Sequence, residues 1–273
     1  MTQFLTTADG LRLAFDDQGS GLPLLCLAGL TRNRADFDTV LPLTARCRII
    51  RLDSRGRGQS DTAPWQSYTV LQEATDAVAL LDHLALDRVA ILGTSRGGLI
   101  AMLLAALHKS RLTGVFLNDI GPVIDPAGLE AIKTHIGIRP RYADYDAAAA
   151  GLSATMAKGF PGVALPQWRV LAQRLYRETP DGLDLRYDPA LRELVLNGSP
   201  ASDLWPLFDA LSGLPVAVLR GANSDLLSAQ TLAQMTARHS GLMTATVPDR
   251  GHVPFLDEAE SMALLHSFLD RLG

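Results

Sequence analysis

Short apolar runs alternate along this chain with longer stretches in which apolar residues recur three and four positions apart. A short run bounded by turn residues fits a buried strand, whereas the longer spacing fits a helix that packs one face inward. Residues 11–15, 24–27 and 48–52 read as strands, and the third runs into a turn-rich stretch at residues 53–60. From residue 70 to 86, Val70, Ala74, Ala77, Val78, Leu81 and Leu84 hold helical spacing. Residues 89–92 then predict a strand, 97–107 a buried helix and 113–117 another strand. Repeated strand-helix-strand units predict an α/β fold, with a mostly parallel central sheet and helices on both faces.

The rhythm breaks at Gly121-Pro122. From there to about Trp205 no buried strand is predicted. Helical stretches at residues 142–156 and 168–177 are interrupted by Pro140, Pro161, Pro166, Pro180 and Pro189. Strands at 215–219 and 243–247 and helices at 229–238 and 258–272 then restore the pattern. The expected layout is a core of residues 1–121 and 206–273, interrupted by a helical cap, or lid, of residues 122–205.

Composition narrows the class. Apolar residues make up 47% and charged residues 20% of the 273 residues, which suits a globular enzyme and is too apolar for disorder. A net charge of −4 gives no reason to expect nucleic acid or an anionic membrane as partner. No apolar run approaches the ~20 residues that span a bilayer, and residues 1–7 lack the pattern of a signal peptide, so a cytoplasmic location is expected. Cys26 and Cys47 each sit in an apolar run and are expected as buried free thiols. No metal-ligand spacing is present, and neither metal nor cofactor is expected.

The candidate chemistry begins at Gly93-Thr94-Ser95-Arg96-Gly97, set between a predicted strand and a predicted helix. A tight strand-to-helix turn exposes a serine hydroxyl, small flanking residues allow the close backbone approach, and the helix N-terminus faces the site where negative charge develops. A plain Gly-rich turn is the bland alternative. Because a hydroxyl attacks only once a base takes its proton, a histidine is required. His252 follows the last predicted strand on a loop flanked by Gly251 and Pro254, and is the expected base. His83, His108, His239 and His266 fall in or at the ends of predicted helices and His135 in the interrupting segment, and all are expected as surface or packed residues.

With these residues in place, the chain resembles the α/β-hydrolase superfamily over nearly its whole length. Ala28-Gly29-Leu30 resembles the family's oxyanion loop, with Ala28 where a histidine usually stands. Asp53-x-Arg55-Gly56-x-Gly58-x-Ser60 is similar to the loop after the next strand, and Gly251-His252 to the catalytic histidine loop. Residues 117–122 and 220–227 resemble a bacterial esterase-like subgroup. The resemblance implies an oxyanion hole made by the backbone amides of Leu30 and Arg96.

Two aspartates compete to orient His252. In most of the family the acid follows the strand after the cap, three residues past a glycine. Counting from Gly221 places Ser224 there and Asp225 one residue late. Asp119 instead ends the strand before the cap, a position that some relatives use. A turn-forming residue is the bland role for Asp119, and a helix cap for Asp225. The reading leans to Asp119 and keeps both.

Arg96 is expected to pair with a carboxylate such as Asp53, and Arg55 and Arg57 to tie down their own loop. Tyr142, Trp168 and Trp205 are candidates for the apolar wall above the nucleophile. The expected function is hydrolysis of a small or medium carboxylic ester, lactone or thioester through an acyl-enzyme on Ser95, with a small-molecule acyl compound as partner. A carbon–carbon bond hydrolase of ring-cleavage products is the enzymatic alternative. A ligand sensor with a retained triad and slow turnover is the alternative from another class. The sequence carries no signal for oligomeric state.

Overall fold

Leu25 and Leu27 face one apolar layer while Leu24 and Cys26 face another, because successive strand residues point to opposite faces. A strand apolar at every position is therefore buried on both sides, as central strands of a parallel sheet are. The computed structural model describes residues 1–197 and 203–273.

The first half of the chain supplies strands β1 (Gln3–Thr6), β2 (Arg12–Gly19), β3 (Leu22–Leu27), β4 (Cys47–Leu52), β5 (Val89–Thr94) and β6 (Leu112–Asn118). Helix α1 (Val70–His83) precedes β5, and α2 (Arg96–Leu107) links β5 to β6. After β6 come α3 (Pro126–His135), α4 (Tyr145–Met156), α5 (Leu165–Leu175), a hairpin of β7 (Tyr176–Thr179) and β8 (Gly182–Leu185), and α6 (Leu191–Asn197). The chain returns through α7 (Trp205–Asp209), β9 (Val216–Gly221), α8 (Ala229–Arg238), β10 (Met243–Val247) and α9 (Ala259–Asp270).

One eight-stranded sheet runs in the order β1-β2-β4-β3-β5-β6-β9-β10. Pairing is parallel from β4 to β10, and β2 is antiparallel to both of its neighbours. Leu80, Ile100 and Phe208 of α1, α2 and α7 cover one face. Leu265 and Phe268 of α9, with Phe37 and Val40, cover the other. The doubly covered parallel sheet expected from the sequence is present. Cys26 and Cys47 are free and buried, and burial pushes the Cys26 thiol well above its ordinary pKa.

Three departures have local causes. Strand β1 went unpredicted because only Leu5 in it is buried, which is too little apolar signal. Helix α1 ends at His83 rather than residue 86, since Ala85 takes a positive φ of 51° that no α-helix continues. The helix expected at 168–177 stops at Leu175, and the hairpin follows, turning at Pro180-Asp181-Gly182 where Gly182 has φ 109°. The interrupting segment is thus not wholly helical. Leu183, on the hairpin, packs with Leu152, Trp168 and Leu171 in an apolar cluster separate from those of the sheet.

Candidate active site

Ser95 stands at the turn between β5 and α2 with φ 51° and ψ −116°. A positive φ is strained for serine and persists only where surroundings enforce it. Gly97 shows the enforcement: a Cβ there would lie 2.0 Å from the Leu27 carbonyl oxygen. A Cβ on Gly93 would lie 2.6 Å from the Gly97 carbonyl carbon. The turn is pressed against β3 and leaves no room for a Cβ at Gly93 or Gly97. The Ser95 amide donates to the Asn118 carbonyl at 3.0 Å, fixing the turn to the end of β6.

His252 lies beyond β10, where its Nε2 is 2.9 Å from Ser95 Oγ and its Nδ1 is 2.7 Å from Asp119 Oδ2. A carboxylate oxygen only accepts, so Nδ1 carries the proton and Nε2 offers a lone pair to the serine hydroxyl. Asp119 follows β6 directly and is wholly buried. Its Oδ1 accepts the Gly221 amide at 2.8 Å, and its Oδ2 also accepts the Ser224 hydroxyl at 2.6 Å. These donors offset the cost of burying a charge. Asn118 braces the same loop, donating from Nδ2 to the Pro254 carbonyl and to Thr94 Oγ1, both at 3.2 Å.

Asp225 does not take part. It is exposed, and the place three residues past Gly221 belongs to Ser224. Nor does Asp225 cap the next helix, since Ser228 accepts the Thr231 amide there. Chain direction explains the outcome: the Ser224 hydroxyl also accepts the Leu226 and Leu227 amides, a tight turn that holds it toward Asp119.

Neither the Leu30 nor the Arg96 amide donates to a protein acceptor among the described residues. Arg96 is the first residue of α2, where helical amides lack partners. A buried network holds both positions. Arg57 Nε donates to the Leu30 carbonyl at 2.8 Å, its Nη1 reaches Glu73 Oε1 at 2.8 Å, and Arg96 Nε reaches Glu73 Oε2 at 2.7 Å. Burial acts to raise the Glu73 pKa, yet Arg57 and Arg96 outweigh it and hold the group below the usual carboxylate range. Arg96 therefore pairs with Glu73 rather than Asp53, whose partner is Arg34. Arg55 binds Asp76 at 2.7 Å and Asp9 at 2.9 Å, so Arg55 and Arg57 tie their loop to α1 and beyond, not merely to itself.

A cavity of about 540 Å³ opens above Ser95 and His252, with Leu30, Leu152, Met156 and Leu171 among its apolar walls. Tyr142 lines it as expected. Trp168 does not: its ring packs edge-on against Phe160 and Phe255, and Nε1 donates to the Val163 carbonyl at 3.1 Å. Trp205 is also elsewhere, edge-on to Phe208 and 4.0 Å beneath the Arg238 guanidinium. His135, expected as a plain surface residue, lines the cavity. Among the described residues no group of His, Cys, Asp and Glu is placed to hold a metal, and no helix is long and apolar enough to cross a membrane.

A doubly wound sheet with a serine at the β5–α2 turn, a carboxylate after β6 and a histidine on the loop after β10 defines a hydrolase architecture. The chain belongs to the alpha/beta hydrolase family, whose model matches residues 24–263. It is 37% identical to the 3-hydroxybutyrate-oligomer hydrolase of Cupriavidus necator, over 94% of this chain and 93% of that protein. It is 28% identical to the 2-(acetamidomethylene)succinate hydrolase of Mesorhizobium japonicum, over 86% and 83%. The crystal structure of an alpha/beta hydrolase from Novosphingobium aromaticivorans superposes with a TM-score of 0.93 at 39% identity, covering 99% of this chain and 98% of that one. The protein is a hydrolase.

Proposed function

We propose that the protein hydrolyses carboxylic esters of small or medium size through an acyl-enzyme on Ser95. The observation that carries this reading is the continuous line Ser95 Oγ, His252 Nε2, His252 Nδ1, Asp119 Oδ2 at the base of a largely apolar cavity. Ser95 Oγ attacks the acyl carbon as its proton passes to His252 Nε2. The Leu30 and Arg96 amides receive the oxyanion, each worth about 3 kcal/mol when aimed at the developing charge. Nε2 then protonates the departing alcohol. Water, deprotonated by the same nitrogen, attacks the acyl-enzyme and releases the acid.

On this reading residues 122–205 make up a cap, from which Tyr142, Leu152, Met156 and Leu171 line the cavity. The likeness to a 3-hydroxybutyrate-oligomer hydrolase favours esters, because oligomers of a hydroxy acid are joined by ester bonds. Turnover of p-nitrophenyl acetate and butyrate by the wild type, set beside Ser95→Ala, tests the reading. A burst of p-nitrophenol that Ser95→Ala abolishes is expected. Equal turnover by both proteins would rule out the acyl-enzyme.

A further inference from the structure

The charged residues of the cavity lining have one sign. Its lining includes Arg32, Arg139, Arg141 and His135 besides His252, and among the described residues it includes no aspartate or glutamate. That is not the average of this chain, which carries 29 acidic against 25 basic residues. Two of the three arginines in the lining, Arg139 and Arg141, fall within residues 132–141, a stretch with no acid in it.

These cations differ in how far they are already neutralised. Arg32 is committed, since its Nε and Nη2 donate to both oxygens of Asp36 at 2.6 and 2.7 Å. Arg139 shares Asp184 with Arg177, at 3.5 Å against 3.0 Å, so two cations meet one carboxylate. Arg141 is exposed and has no carboxylate partner among the described residues. Scattered surface arginines are ordinary, but these two border a cavity whose adjoining wall is apolar, with Ile132 and Ile138 beside them. An apolar slot with a forked cation at its rim suits an amphiphilic molecule with an apolar body and one planar anionic end.

We infer that the substrate is an ester carrying a free carboxylate, which Arg141 and Arg139 bind while the ester carbonyl lies at Ser95. The inference rests on the esterase reading of Ser95 but has a separate readout. In the Ser95→Ala protein, which cannot form an acyl-enzyme, binding of monomethyl adipate and of dimethyl adipate is compared by calorimetry. The monoester, with its free carboxylate, is expected to bind roughly tenfold tighter than the neutral diester, the scale of a partly exposed charge-assisted pair. Arg139→Gln with Arg141→Gln is expected to remove most of that ratio, and Arg141→Lys in otherwise Ser95→Ala protein to retain part of it. Both sites are exposed, and melting curves check that the variants fold. Equal binding of monoester and diester, or a preference that survives in the double variant, overturns the inference. Neither result depends on turnover, so loss of the esterase reading shows separately, in the p-nitrophenyl assay.

Discussion

The Ser224 hydroxyl donates a hydrogen bond to Asp119 at 2.6 Å, on the same oxygen that faces His252. The loop after β9, where many relatives place the acid itself, here places a donor to an acid carried by β6. The carboxylate thus accepts from His252 and Ser224 on Oδ2 and from the Gly221 amide on Oδ1. Ser224→Ala removes one of those bonds and leaves Asp119 Oδ2 with His252 alone. We expect kcat to fall about tenfold and stability to fall by about 1–3 kcal/mol, the cost of under-satisfying a buried acceptor. Steady-state kinetics and urea unfolding measure both, and an unchanged kcat would show that Ser224 only shapes its loop.

Asp119→Asn should lower kcat by roughly four orders of magnitude, because an amide can hold the imidazole in the wrong tautomer without disturbing its position. Asp225→Asn should stay near wild type, its side chain being exposed and apart from His252. Kinetics on the pair discriminate, and the reverse pattern refutes the assignment of Asp119.

Gly97→Ala should destabilise the protein by about 3 kcal/mol or prevent folding, since its Cβ would sit 2.0 Å from the Leu27 carbonyl oxygen. Gly159→Ala is the control. A Cβ there meets its nearest neighbour at an ordinary 3.7 Å, so a change below about 1 kcal/mol is expected. Urea midpoints of the two variants against wild type provide the comparison.

Glu73→Gln should weaken the network that holds Leu30 and Arg96, lowering kcat more than it raises KM, as expected when transition-state contacts suffer. The acid limb of stability should change as well. The folded-state pKa of Glu73 lies below its ordinary value of 4.5, so its ionised form stabilises the fold above that value. The contribution is lost as pH falls through the lower folded value. Melting temperatures of wild type and Glu73→Gln should therefore differ most near neutrality and converge below pH 4.5. A gap that stays constant with pH would mean the glutamate charge is not what supports the network.

Much of the molecule was legible in the sequence because burial on both faces leaves an uninterrupted apolar trace. Helix 229–238 and strand 243–247 occur with the expected bounds. Ser95 was legible because glycines stand two residues to either side of it between a strand and a helix, and His252 because it follows Gly251 on the loop after the last strand. Glu73 was hidden: it lies one residue before Ala74 of the apolar stripe, and an acid on a helix reads as solvated until Arg57 of the loop after β4 and Arg96 at the start of α2 reach it. The choice between Asp119 and Asp225 turned on a single residue of loop length, which spacing cannot resolve and the position of Ser224 does. The tryptophans went to packing because large rings fill cluster interiors as readily as they line cavities, and sequence carries no direction for them.

Thr94 pairs with Asn118 across β5 and β6, so the residues that follow them, Ser95 and Asp119, leave adjacent strands at the same level. The proposed nucleophile and the carboxylate bonded to His252 are thereby set in register by one crossover, β5-α2-β6, before the chain enters the interrupting segment. An acid placed after β9 would depend on whatever length of chain lies between. Here the chain after that stretch has only to return the donors Gly221 and Ser224 and the ring of His252 to a pair already in alignment.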